Sequence, residues 1–216
     1  MAARFIGGAV PVNIPRRQAL APRPGPWQPA AMLRLIGRLL RNVHAGEKHM
    51  AWTDPRLQAP DAIELTSPAF LYGDPMPKRH AGQRLGDNVS PALNWEGGPE
   101  NAACYVIIME DPDAPLPKPP CHLIAVLDGR LDGIGEGELA HGKLPALVGL
   151  YQGFGGRVGY HGPGPPPGHG PHRYVFQIYA SDAPLALKPD AVREDVIAAL
   201  AGHVTARGRL EGTYES

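Results

Sequence analysis

Three short stretches hold the side chains able to do chemistry. Asp111-Pro112-Asp113-Ala114-Pro115 places two carboxylates two residues apart, just behind an apolar run that ends at Met109. Pro112 and Pro115 fix φ and remove two backbone donors, so the carboxylates have few orientations open to them. Asp side chains in such a turn also cap backbone N–H groups, and the spacing is compatible with either role. Cys121-His122 opens the run HLIAVL, where an imidazole is either a polar strand edge or a proton-bearing ligand group. The third stretch, GYHGPGPPPGHGPHRYVFQIYA from Gly159 to Ala180, begins with glycine, proline and histidine and ends as an alternating strand. Prolines stiffen that loop, and glycines let backbone N–H groups approach a ligand closely. A spacer needs neither property, so the loop reads as a binding wall.

Two chemistries fit these residues. His169 and His172 with Asp111, Asp113 and His122 are ligand types acceptable to zinc. No H-E-x-x-H and no paired C-x-x-C fixes their spacing, however, and neither a metal nor another cofactor is expected. The alternative is a small anion pocket, in which imidazole and backbone N–H groups donate to phosphate or carboxylate while the aspartates orient the histidines. On that reading His172 donates as imidazolium, and affinity falls as pH rises through its pKa. The chain carries no nucleophile elbow, P-loop or dinucleotide fingerprint. Ser90, in NVSP, reads as a turn residue with no base assigned to it.

Short strands must position these loops. IELTSPAFLYG and NVSPALNW read as edge or short strands, ACYVIIME and CHLIAVLDG as buried strands, and RYVFQIYASD as the clearest alternating strand. Gly129 to Gly159 reads as irregular. A helix is expected late, from Pro189-Asp190 to near Gly202 or Gly208 with Val192, Val196, Ile197 and Leu200 as its stripe, before a last strand in RLEGTYES. Several strands before any good helix imply a mainly β, antiparallel architecture over residues 60–216. Upstream, Leu33, Ile36, Leu40 and Val43 recur at helical spacing with Arg34, Arg38 and Arg41 on another face, predicting an amphipathic helix over residues 32–46. Such a helix either lies on an anionic membrane or packs its stripe on its own domain, and packing is the expectation. Residues 1–31 lack periodicity and are expected to be a disordered extension or to precede the true start at Met32.

Composition bounds the function. The 216 residues include 26 prolines and 27 glycines beside 43% hydrophobic residues, which suits a real core with shaped loops. Zero net charge removes the electrostatic footprint of a nucleic-acid binder. No run of 18 apolar residues occurs, so no transmembrane segment is expected. The patch Phe5–Val12 is a poor secretory core, and Cys104 and Cys121 are read as reduced thiols in a cytoplasmic protein.

The order of these motifs carries a resemblance. DPDAP, a histidine opening the next strand, and GPGPPPGHGPHRY together resemble the phosphatidylethanolamine-binding protein family, in its bacterial Raf-kinase-inhibitor-like branch. LGDNVSPALNW and the ending LAGHVTARGRLEGTYES are similar as well, and the likeness covers about Ile63 to Ser216. The resemblance implies an antiparallel β-sandwich with a small surface pocket for phosphate or phospholipid head groups; no catalytic residue is expected, because the chain shows neither a fixed metal-ligand spacing nor a nucleophile–base pair. It implies Asp111, Asp113, Pro115, His122, Gly162, Gly164, Pro165, Pro166, His172 and Tyr174 as the ligand-binding set, and a cis Ala114–Pro115 bond. A departure stands beside it: Pro119, Pro120 and Cys121 precede His122 where relatives often have an aromatic. The function expected is head-group binding, with regulation through a protein partner; the alternative is a metal- or histidine-dependent phosphoester hydrolase in the same pocket. Exposed edge strands make a homodimer reasonable.

Overall fold

The structure is a computed structural model that describes residues 29–140, 144 and 146–216. The unbroken apolar run of strand β3, Cys104–Glu110, explains the architecture, because all seven of its residues are buried. Tyr105, Ile107 and Met109 point to one face and meet Leu65, Leu93 and Trp95. Cys104, Val106 and Ile108 point to the other and meet Ala51, Leu57, Val196, Ile197 and Leu200. A strand alternates its side chains between two faces, so burial of both demands a covering layer on each side.

The first layer is a three-stranded sheet in the order β1-β2-β5, formed by Glu64–Thr66, Leu93–Glu96 and Gly133–Ile134. It faces a five-stranded sheet in the order β6-β4-β3-β7-β8. Beside β3 that sheet holds β4 (Cys121–Asp128), β6 (Leu147–Leu150), β7 (His172–Ser181) and β8 (Val204–Tyr214). Every pairing between these strands is antiparallel. Helix α2, Arg193–Leu200, and short 3₁₀ turns between Glu47 and Leu57 cover the outer face of the larger sheet. The expected antiparallel sandwich with a late helix is therefore present.

Four expectations change. The Gly129–Gly159 stretch is not wholly irregular: it supplies β5 and β6, whose Gly-containing pairs are held by the ladder with β2 and β4 rather than by local propensity. The last strand starts well before RLEGTYES, because its ladder with β7 runs from Val204 to Tyr214. The packed body starts before residue 60, since Met50, Ala51 and Leu57 are buried. Helix α1 spans Pro29–Leu39 rather than 32–46, and its stripe does not pack on the domain: Leu33 is 50% and Val43 45% exposed. The buried residue there is Gly37, about 40° around the helix from Leu33, where the helix backbone meets the Pro167 carbonyl. Residues 1–28, most of the expected extension, lie outside the described residues. Cys104 and Cys121 are free, buried and at opposite ends of the β3–β4 ladder.

Candidate functional site

At the end of β3 the register shifts between Met109 and Glu110, and the chain turns out of the sheet into Asp111–Pro115. Both roles open to Asp111 are realised. Its Oδ1 accepts the Asp113 N–H at 2.9 Å, as in a turn, and its Oδ2 accepts from His172 Nδ1 at 2.8 Å. Pro115 is the centre of a three-residue turn closed by Leu116 N–H donating to the Ala114 carbonyl at 2.8 Å. The Ala114–Pro115 bond is trans, contrary to the expected cis geometry. A three-residue turn reverses the chain with φ near the proline value, so no cis bond is needed to make the bend.

His172 opens β7, is 1% exposed and has both ring nitrogens engaged. Nδ1 meets Asp111, and Nε2 lies 2.7 Å from His169 Nδ1. His169 Nε2 in turn donates to the Val43 carbonyl at 3.2 Å. The row therefore runs unbroken from the Asp111 carboxyl group through both imidazoles to the Val43 carbonyl. The expected donation from His172 to an anion is thus not available in this arrangement. His172 fixes Asp111 instead, and His169, unplaced by the sequence, fixes His172.

Asp113 leaves the cavity altogether. Its carboxylate receives Arg173 Nε and Nη2, both at 2.9 Å, and the Arg173 backbone N–H at 2.9 Å. Burial pushes its pKa up, but the hydrogen bonds and charge of Arg173 outweigh this and leave it below the ordinary value. Asp113 thus ties the loop to β7 and faces no ligand space.

His122 is the second residue of β4, with its Nδ1 donating to the His161 carbonyl at 2.9 Å, while His161 N–H donates back to the His122 carbonyl at 2.9 Å. This leaves Nε2 aimed into a cavity of about 700 Å³. The ring stands edge-on to Tyr174, with centroids 5.2 Å apart. Burial lowers the His122 pKa, and the Asp111 charge partly opposes the shift. The Tyr174 hydroxyl accepts from Gly164 N–H at 3.1 Å, and burial, followed by the Asp111 charge, pushes its phenol up.

The Gly-Pro loop runs across the cavity from His161 to Pro166. Gly162 donates its N–H to Asn88 Oδ1 at 2.9 Å, and a Cβ on Gly162 would overlap the His80 carbonyl. Glycine is required there for chain packing, rather than for ligand entry as expected; Gly164 is the one with open space beside it. Asp111, Pro115, His122, Gly162, Gly164, Pro165, Pro166, His172 and Tyr174 all line the one cavity, and of the expected set Asp113 alone does not.

The matching family model is that of the phosphatidylethanolamine-binding protein, over residues 66–215. The chain belongs to the phosphatidylethanolamine-binding protein family. A UPF0098 protein of Pyrococcus abyssi is 43% identical over 132 residues, covering 60% of this chain and 74% of that one. The solved phosphatidylethanolamine-binding protein homologue of Chlamydia trachomatis aligns with a TM-score of 0.64 at 33% identity, over 72% of this chain and 99% of its own. Escherichia coli YbcL shares the fold, with a TM-score of 0.67 at 22% identity over 72% of this chain and 99% of its own.

On this family fold, the sequence reading missed Arg84, Arg157, His161 and Phe154, all of which line the cavity. Phe154 supplies an aromatic wall that the residues before His122 lack, and it comes from the stretch expected to be irregular. Neither arginine sits in a spacing that betrays it, so only the folded loops bring them together. Asn88, within LGDNVSP, holds the Gly-Pro loop on both sides of His161, donating also to the Tyr160 carbonyl at 3.1 Å. Its φ of 56° is a left-handed conformation that Asn tolerates better than most residues. Asn88→Ala is expected to cost about 2 kcal/mol from two lost hydrogen bonds and backbone strain. It should also speed amide exchange at Gly162, and urea denaturation with hydrogen-exchange NMR checks both.

Proposed function

We propose that this cavity binds a small phosphate-bearing or similar anion, such as the head group of a phospholipid, without turning it over. The supporting observation is the balance of charge. Arg84 and Arg157 line the same cavity as the Asp111 carboxylate, which His172 Nδ1 holds at 2.8 Å, with His122 Nε2 turned inward as a further donor once protonated. Asp111 and the two buried histidines satisfy one another in a row, so they are spent on holding the wall rather than on activating a nucleophile. Ser90 is buried, and its hydroxyl accepts from Leu139 N–H, away from the cavity lining. Two free buried thiols suit a reducing, cytoplasmic setting. Regulation of a partner protein through the occupied pocket belongs to the same proposal.

Titration of the purified protein with phosphate and phosphoethanolamine, followed by NMR of the imidazole resonances, tests it. Saturable shifts at His122, weakened about tenfold or more in the double variant Arg84→Ala/Arg157→Ala, are the expected result. Phosphoester hydrolysis that depends on added zinc and disappears in His122→Gln would overturn the proposal in favour of a hydrolase.

A further inference from the structure

Helix α1 is oriented backwards for a helix of a globular domain. At about 100° per residue, Met32, Leu33, Leu35, Ile36 and Leu39 fall within an arc of roughly 160°. A surface helix normally turns such an arc to the core. Here Leu35 is 58% and Leu39 75% exposed, and Met32, Leu33 and Ile36 are exposed too. The side turned to the protein is the glycine side. A Cβ on Gly37 would overlap the Pro167 carbonyl, so the two backbones touch at a point that admits no side chain.

The helix is nevertheless firmly tied to the cavity loops. After α1 the chain gives its Val43 carbonyl to His169 Nε2, and the N–H groups of Ala45 and Gly46 to the carbonyls of Ala114 and Pro112. It is thus bonded to both loops that build the cavity wall, and its most exposed apolar residues, Leu35 and Leu39, lie about 160° around the helix from Gly37.

Charge identifies the occupant of that face. Residues 29–46 contain Arg34, Arg38 and Arg41 and no carboxylate, and all three arginines are exposed. Aliphatic residues on one side and arginines on the other are what an anionic lipid surface accepts, with the apolar face sunk to the head-group level. We propose that α1 is an interfacial anchor that lays this protein on anionic bilayers, apolar face down. The Gly37–Pro167 contact then keeps the proline wall of the cavity about one helix diameter, roughly 10 Å, from the lipid plane. The proposal does not depend on what the cavity binds.

Co-sedimentation of the full chain with phosphatidylcholine vesicles, with and without phosphatidylglycerol, tests the anchor. Binding is expected on the mixed vesicles and little on phosphatidylcholine alone, and it should weaken as salt is added. Leu35→Glu/Leu39→Glu should lower the bound fraction about tenfold or more, leaving the melting temperature and the sulfate response of His122 unchanged. His122→Gln should lose the pH dependence of its sulfate binding and still sediment, which separates failure of the anchor from failure of the cavity reading. The anchor is refuted if the parent protein ignores anionic vesicles or the double variant binds them equally well. It is also refuted if the double variant melts markedly lower, because the chain itself would then be covering the face. A lipid-free dimer that the double variant dissolves would assign the face to a second copy and overturn the proposal as well.

Discussion

His122→Gln is expected to abolish the pH dependence of sulfate binding, which in the parent protein should fall by about tenfold per pH unit across a defined window. Sulfate keeps its charge through this range, so the slope reports the protein and not the ligand. In the free protein burial lowers the His122 pKa from its ordinary 6.5, with Asp111 opposing in part. An anion at Nε2 favours the imidazolium and raises the pKa of the complex. Affinity is then highest below the pKa of the free protein, falls as pH rises from there to the pKa of the complex, and is flat above it. His161 also lines the cavity, and its pKa is lowered by burial, Arg157 and His122. His161→Gln is therefore the control, and it should keep the slope. Isothermal titration of the parent and both variants between pH 5 and pH 8, the window around the ordinary His pKa of about 6.5, makes the comparison. A slope that survives in His122→Gln and vanishes in His172→Gln would return the donor role to His172. That outcome would mean that the row Asp111–His172–His169 opens when the anion arrives.

The parts of this reading that the sequence disclosed have a common physical origin. Strands β3, β4 and β7 were legible because a strand buried on one or both faces must be apolar at every position or at alternate ones, whatever surrounds it. DPDAP and the Gly-Pro loop were legible because a stiff loop needs particular residues in a particular order. What stayed hidden depends on encounters between distant segments. Gly149 does not read as a strand residue, and it pairs with Val126 only because β4 is beside it. Arg84 and Arg157 are 73 positions apart and share a cavity through the loops that carry them. His169, between Gly168 and Gly170, has no role that its neighbours in sequence assign, yet it is 2% exposed because β7 and the chain after α1 close over it. Helix α1 shows that even a correct pattern can mislead: the apolar stripe is present, but the shape of Gly37 rather than hydrophobicity decides which face meets the domain.

Glu110→Ala is expected to be the most damaging single substitution, at about 3–5 kcal/mol. Glu110 ends the run CYVIIME, where a carboxylate looks like the strand's polar terminus, and it is instead 0% exposed. Its Oε2 accepts the Ala51 N–H and Gln177 Nε2, each at 2.8 Å, and its Oε1 accepts Arg193 Nε at 2.6 Å. One carboxylate thereby joins β3, β7, the 3₁₀ segment before β1 and the start of α2. Truncation to alanine strands two buried donors and a largely buried guanidinium, and unmet donors in low dielectric cost more than the bonds were worth in water. Glu110→Gln keeps an acceptor and the shape but loses the charge facing Arg193, so its cost should be smaller, about 1–3 kcal/mol. Urea denaturation of the parent and both variants measures the difference, and a cost below about 1 kcal/mol for Glu110→Ala would show that water reaches the cluster. Glu110 also precedes Asp111 at the register shift, so it sets where the cavity carboxylate leaves the sheet. Glu110→Gln, folded but with that exit loosened, should bind sulfate more weakly than the parent although it touches no ligand.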